Sequence, residues 1–117
     1  YRSRDGSVIL VGRNSRQKDL VTFRLSSPGH LWLHARNMPG SHVVVLAEGE
    51  IAEQTLQDAA RLDAYFSKGR ESNSVPVDYT ERRHVRKPKG AKPGFVTYEQ
   101  AKTIFVNPTE AELPEKM

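Results

Sequence analysis

Cysteine is absent from the 117 residues, which removes disulfide frameworks, thiolate nucleophiles and every cysteine-based zinc site. A reducing compartment such as the cytoplasm fits that composition. No apolar stretch approaches the roughly 20 residues that span a bilayer, and the start has neither the apolar core nor the cleavage site of a secretory signal. No membrane partner is therefore expected. The chain opens on Tyr1 with a strand-like pattern and no initiator methionine, so we expect a segment of a longer protein. Hydrophobic residues make up only 37%, yet they gather in short runs between turn residues, as in a folded chain. The length suits one domain with one modest core. That domain is expected over residues 1–108, followed by a flexible tail, 109–117, whose prolines and glutamates show no periodicity.

Acidic residues are missing from one place in particular. Between Arg82 and Lys92 lie six bases, Arg82, Arg83, Arg86, Lys87, Lys89 and Lys92, with no acid among them. The other 12 of the 18 bases face 14 acids, so the chain is a slightly acidic body carrying a cationic strip. Pro88 and Pro93 keep that strip extended, while Gly90 and Gly94 let it approach a surface. A track of this kind suits phosphates, with counterion release making affinity fall as salt rises. The plainer alternative is a solvated loop that keeps the domain soluble.

Ser7–Gly12 is a β-branched run bounded by glycines, predicted as a buried strand, with an edge strand before it over residues 1–4. Asn14 followed by Gln17 has capping-box spacing, which predicts a helix through about Ser26. Val21, Phe23 and Leu25 alternate like a strand there, while Leu20 and Phe23 fit a helical stripe. Residues 31–35 and 42–47 read as a hairpin with Pro39-Gly40 near its tip. From Glu50 onward, Ala52, Leu56, Ala59, Leu62 and Phe66 recur at steps of three and four. This predicts one long amphipathic helix closed by a left-handed Gly69. Strands are predicted over residues 75–80, 95–98 and 103–106. The resulting class is α+β: a mixed or antiparallel β-sheet with one long amphipathic helix and one shorter helix packed on it.

Period-two alternation places Trp32 and His34 on one face of their strand and Leu31 and Leu33 on the other. With Arg36 and the turn that follows, His34, Ser41 and His42 could hold a phosphate or a terminal ribose. The alternative is a tight hairpin with one structural tryptophan and two hydrogen-bonded histidines. His34 and His42 converging with Asp19 or Asp78 on a metal match no known ligand signature. Ser41 and His42, as strand neighbours, point to opposite faces and make no nucleophile–base pair. No nucleophile elbow, phosphate loop or dinucleotide fingerprint occurs. No catalytic residue, metal or cofactor is therefore assigned. Arg13 and Asn14 precede a helix N-terminus that would accept an anion, although capping alone explains Asn14. Of the aromatics flanking the basic strip, Phe95 and Tyr98 differ in parity. One of them is expected in the core and the other free for a base or ribose. Tyr98 is the choice for the free one, because its hydroxyl tolerates water, with core packing the alternative for any one of these rings. Asp63 lies beside the stripe of the long helix, where surface exposure is its simplest explanation.

Six pieces in order, Val11-Gly-Arg-Asn14, Leu31-Trp-Leu-His34, Pro39-Gly-Ser-His-Val43, Ala59-Ala60 with Ala64-Tyr-Phe-Ser67, Val77-Asp-Tyr-Thr80 and residues 85–94, cover nearly the whole chain. In this series the chain resembles the NFACT-R domain, the RNA-binding part of the NFACT family that includes RqcH, NEMF, Tae2 and Caliban. Lys18 and Asp63 depart from the family pattern, which commonly has Asn and Ala there. The resemblance implies an RNA-binding module contacting tRNA or large-subunit ribosomal RNA. The parent protein would rescue stalled large subunits and support template-free tailing of the nascent chain. Other domains of that protein would lie outside this chain. The alternative is a protein-interaction module docking on the ribosome or a partner through a sheet edge and the Tyr98 region.

Overall fold

In the computed structural model, which describes residues 1–109 and 113–117, the apolar runs pair into one five-stranded sheet. Its strands are β1 (Ile9–Gly12), β2 (Leu31–Ala35), β3 (His42–Val45), β4 (Val75–Glu81) and β7 (Lys102–Val106), in the order β1-β3-β2-β4-β7. Every pairing is antiparallel. A second ribbon joins β5 (Val85–Arg86) to β6 (Thr97–Tyr98). The helices are α1 (Ser15–Asp19), which continues as a π-helical turn over Leu20–Arg24, and α2 (Glu53–Tyr65). The α+β class and the antiparallel sheet stand. The long helix does not: α2 has 13 residues, and the α1 segment with its π turn is nearly as long.

Alternation along the strands divides the apolar side chains between two layers. Leu31, Leu33, Val43, Val45, Val75 and Val77 point to α2 and pack on Leu56, Ala59 and Leu62. Trp32 and Val44 point the other way, to Val21 of the π turn and Val85 of the ribbon, with Tyr98 packed against them. The sheet is thus covered by α2 on one face and, in part, by the π turn and the ribbon on the other. Among the described residues, no helix is long and apolar enough to cross a membrane.

Three local departures from the predicted elements have physical causes. Asn14 caps α1 as expected, its Oδ1 accepting from the Gln17 N–H at 2.8 Å. The helix then widens, with the Leu25 N–H donating to the Leu20 carbonyl, five residues back. That wide turn presents the Thr22 carbonyl to Arg82 and Ser26, and it resolves the mixed periodicity of residues 20–25. Gly69 does not close α2, since it lies outside the left-handed region and Phe66 is the capping residue. Its lack of a side chain serves packing instead, because any Cβ there would meet Met38 Sδ and Val75 Cγ2 at 3.0 Å. Asp63 is fully buried, not exposed. His34 pairs with His42, the first residue of β3, so the Ala35 N–H lies past the end of that ladder, and Asp63 Oδ1 accepts it at 3.1 Å.

At the N-terminus, Arg2 makes isolated bridges to Val8 and to Glu115, where an edge strand was predicted. In the segment expected to be a flexible tail, Leu113 packs on the α2-side core and the Glu115 carbonyl accepts from the Arg2 N–H at 2.9 Å. Residues 110–112 of that segment lie outside the described residues.

Candidate nucleic-acid interface

The registers of β3, β2, β4 and β7 set His42, His34, Asp78 and Thr103 side by side across the sheet, on the face away from α2. One step along, Trp32 lies between Val44 and Thr80. Polar groups this deep need partners, and they have them. Trp32 Nε1 donates to Thr22 Oγ1 at 3.1 Å, which also lies 3.3 Å from His42 Nδ1. His34 Nδ1 is 3.2 Å from the Ser41 carbonyl; a carbonyl only accepts, so that nitrogen carries the proton. Asp78 accepts from the Tyr98 hydroxyl at 2.6 Å and from Thr103 Oγ1 at 2.7 Å. The rings of His34 and His42 meet edge to face, 5.0 Å apart.

Burial lowers the pKa of both histidines, and for His42 the neighbouring His34 and the Lys18 ammonium push it further, to about 3. Both rings are therefore neutral at pH 7 and serve as hydrogen-bonding groups, not as cations. Burial also raises the Tyr98 phenol above its ordinary value, helped by its bond to Asp78. Over this row opens a cleft of about 300 Å³, floored by His34, His42 and Tyr98 and rimmed by Lys18, the Asn37–Gly40 turn and the Gly94–Val96 segment. Among the described residues, no group of three His, Asp, Glu or Cys side chains is placed to hold a metal ion.

Of the residues singled out in the sequence, His34, His42 and Tyr98 meet in this cleft. Arg36 follows β2 on the same face, exposed, with its N–H on the Pro76 carbonyl, and its charge reaches Tyr98. Ser41 does not join them: it is buried, and its hydroxyl has no partner among the described residues. Asn14 is occupied by its cap. Arg13 leaves the cleft altogether and lies over the Phe66 ring, 4.2 Å from its centroid.

The six bases of the cationic strip divide in half. Arg82 turns inward, Nε donating to the Thr22 carbonyl at 2.8 Å with its guanidinium over Phe23. Arg83 pairs with Glu81 at 3.2 Å. Lys87 Nζ pairs with Asp19 at 3.1 Å and donates to the carbonyls of Lys92 and Phe95. Arg86, Lys89 and Lys92 are exposed with no ion pair among the described residues. The strip is thus an ordered loop presenting three free cations.

The expectation for the two aromatics is reversed. Tyr98 faces inward, its ring 4.9 Å from that of Trp32, because a buried Asp78 needs a donor more than the phenol needs water. Phe95 is the outward ring, 57% exposed. Lys18, Asp78 and Phe105 had no assigned role in the sequence. Asp78 was legible, since Val75, Val77 and Tyr79 share one parity and leave Asp78 on the face of His34. Phe105, 67% exposed, pairs with Pro76, which lies beside Arg36. An apolar alternation in β7 gives no hint that its outer member lacks a cover.

The model of the NFACT protein RNA binding domain matches residues 1–100. The chain belongs to this family. Its curated relatives include the Rqc2 homolog RqcH of Bacillus subtilis, 54% identical over 108 residues, which are 92% of this chain and 19% of the relative. The Rqc2 homolog RqcH of Streptococcus suis is 48% identical over 114 residues, 97% of this chain and 21% of the relative. The NFACT-R domain described here therefore spans about a fifth of the length of the curated relatives it matches. A solved structure of the C-terminal part of the fibronectin/fibrinogen-binding protein from Streptococcus suis superposes with a TM-score of 0.93 at 48% identity. The match covers 97% of this chain and 46% of that one.

Proposed function

We propose that this NFACT-R domain is the RNA-binding module of a cytoplasmic ribosome-associated quality control protein, holding tRNA or large-subunit ribosomal RNA while stalled subunits are cleared and the nascent chain is tailed without a template. The observation that carries the reading is the set of cations Arg86, Lys89 and Lys92, with no ion pair among the described residues, on an ordered loop whose end, with the exposed Phe95, rims a polar cleft floored by neutral histidines. The cations suit the phosphate backbone and Phe95 suits an unpaired base, the two components of single-strand recognition. The neutral histidines can bond a ribose or base edge without demanding a phosphate. The role is one of binding, with no catalytic step and no cofactor. Filter binding to tRNA and to ribosomal RNA fragments across a salt series tests it. Affinity that falls steeply with salt is expected; salt-insensitive binding, or none, overturns the reading.

A second reading has its own support in Leu20 and Leu25, 43% and 50% exposed along the π-helical turn and its end. Apolar side chains of this size on the surface suit docking on a ribosomal or partner protein. On that reading, replacing both by Glu abolishes ribosome association and leaves affinity for free RNA unchanged.

A further inference from the structure

Across the Asn37–Gly40 turn from the cleft, a second concave surface is built from stacked cations. The Arg13 guanidinium lies over the Phe66 ring at 4.2 Å, and the Arg70 guanidinium over the Tyr65 ring at 4.0 Å. Tyr65 and Phe66 are adjacent at the C-terminal end of α2, their own rings edge to face at 5.0 Å. Together with Lys116 they line a cleft of about 480 Å³ that has no Asp or Glu in its lining among the described residues. Neither arginine makes an ion pair among those residues. Arg70 spends one Nη2 donor on the Tyr65 hydroxyl, and a guanidinium stacked on a ring still has further N–H donors to offer a phosphate.

The position of this surface matters as much as its chemistry. Gly12 pairs with His42 of the cleft floor, so Arg13, the next residue, leaves the sheet beside it. Gly40 rims the cleft, and a Cβ on it would sit 3.0 Å from the Cβ of Ser67, the residue after Phe66. The turn therefore lines the first concavity and packs against the segment that follows Phe66 of the second.

We infer that Arg13 and Arg70, stacked on Phe66 and Tyr65, form a second phosphate-binding surface that holds the same RNA after it crosses the Asn37–Gly40 turn. This rests on the RNA-binding reading and extends the footprint from the strip's side of the sheet to the end of α2. The ligand class is the phosphodiester backbone of an RNA strand, not a base, because the two rings are already covered by their arginines.

The experiment compares tRNA binding by the chain, by R13Q/R70Q and by R86Q/K89Q/K92Q over 50–200 mM salt. Removing two phosphate contacts lowers the slope of log affinity against log salt by about 1.4 at roughly 0.7 per contact. A slope shift of that size in R13Q/R70Q supports the surface. An unchanged slope in R13Q/R70Q, beside a lowered slope in R86Q/K89Q/K92Q, overturns it and leaves the RNA-binding reading standing. No binding by the unaltered chain overturns both. Should R13Q/R70Q unfold, dicarbonyl modification of the unaltered chain followed by mass spectrometry decides. Bound tRNA is expected to slow modification of Arg13 and Arg70 several-fold, and equal rates with and without tRNA overturn the inference.

Discussion

Replacing Arg86, Lys89 and Lys92 by Gln removes the three strip cations that have no ion pair among the described residues, while Lys87→Gln removes one that already holds Asp19 and two carbonyls. If each free cation neutralises one phosphate of a single strand, the salt slope of the triple variant falls by about 2, at roughly 0.7 per contact. Over a fourfold rise in salt the unaltered chain then loses about 20-fold more affinity than the variant does. Lys87→Gln is expected to leave the slope nearly unchanged and to lower stability by about 1–2 kcal/mol, through loss of a part-exposed ion pair and its accompanying hydrogen bonds. Filter binding at 50, 100 and 200 mM salt, with urea unfolding of each variant, measures both effects. A slope that shifts equally per charge at Lys87 and at the other three would refute the division of the strip. A triple variant with an unaltered slope would refute its role in RNA binding.

Three further outcomes follow from single contacts. Phe95→Ala should weaken binding to unpaired RNA by about 1–3 kcal/mol, the scale of one stacked base, without shifting the thermal midpoint; isothermal titration with a short single strand checks it. Tyr98→Phe removes a 2.6 Å bond to Asp78 and should destabilise the fold by about 1–2 kcal/mol in urea; no loss would mean that water replaces the hydroxyl. The Asp63 carboxyl has its pKa raised well above the usual value by burial, so the folded state binds its proton more tightly than the unfolded state does. Stability from this group is fully present below the unfolded value near 4 and is lost as pH rises towards the folded pKa. Asp63→Asn should flatten that decline while keeping an acceptor for the Ala35 N–H. Urea unfolding at pH 5 and pH 8 reads the difference, and parallel declines in the two proteins count against it.

Most of the sheet was legible because its strands are short β-branched runs bounded by turn residues, and the face assignment of Trp32 and His34 needed only alternation. Asn14 could be read as a cap since the interaction is local, three residues long. The rest depended on partners distant in sequence. Nothing near Leu20 announces the π turn, whose freed Thr22 carbonyl is claimed by Arg82, 60 residues away. Asp63 follows the helix stripe, and only the end of the β3 ladder explains why a carboxyl belongs there. Parity showed that Tyr98 and Phe95 differ in face but not which faces inward, a choice made by Asp78 on another strand. Charge counting found the cationic strip but could not see that Glu81, Asp19 and two carbonyls of the π turn occupy half of it.

Asp19 provides the sharpest separation of charge from organisation. One oxygen, Oδ1, accepts both Lys87 Nζ at 3.1 Å and the Gly94 N–H at 3.0 Å, and Lys87 in turn gathers the carbonyls of Lys92 and Phe95. Gly94 takes a left-handed φ of +84°, and a Cβ there would lie 3.1 Å from Ser15 Cα, so the loop closes directly on α1. Without Asp19 the far part of the strip loses its tie to α1 while the domain gains a positive charge. If charge alone governs binding, Asp19→Ala binds RNA more tightly than the unaltered chain. If the loop works because it is ordered before RNA arrives, the variant must order the backbone of residues 87–94 on binding, at about 1–2 kcal/mol for each residue so fixed. Affinity then falls about tenfold or more despite the favourable charge. Hydrogen exchange at the Gly94 amide should quicken in the same variant. Equal or tighter binding by Asp19→Ala, with that amide exchanging freely, would show that the order of the loop is incidental to its grip.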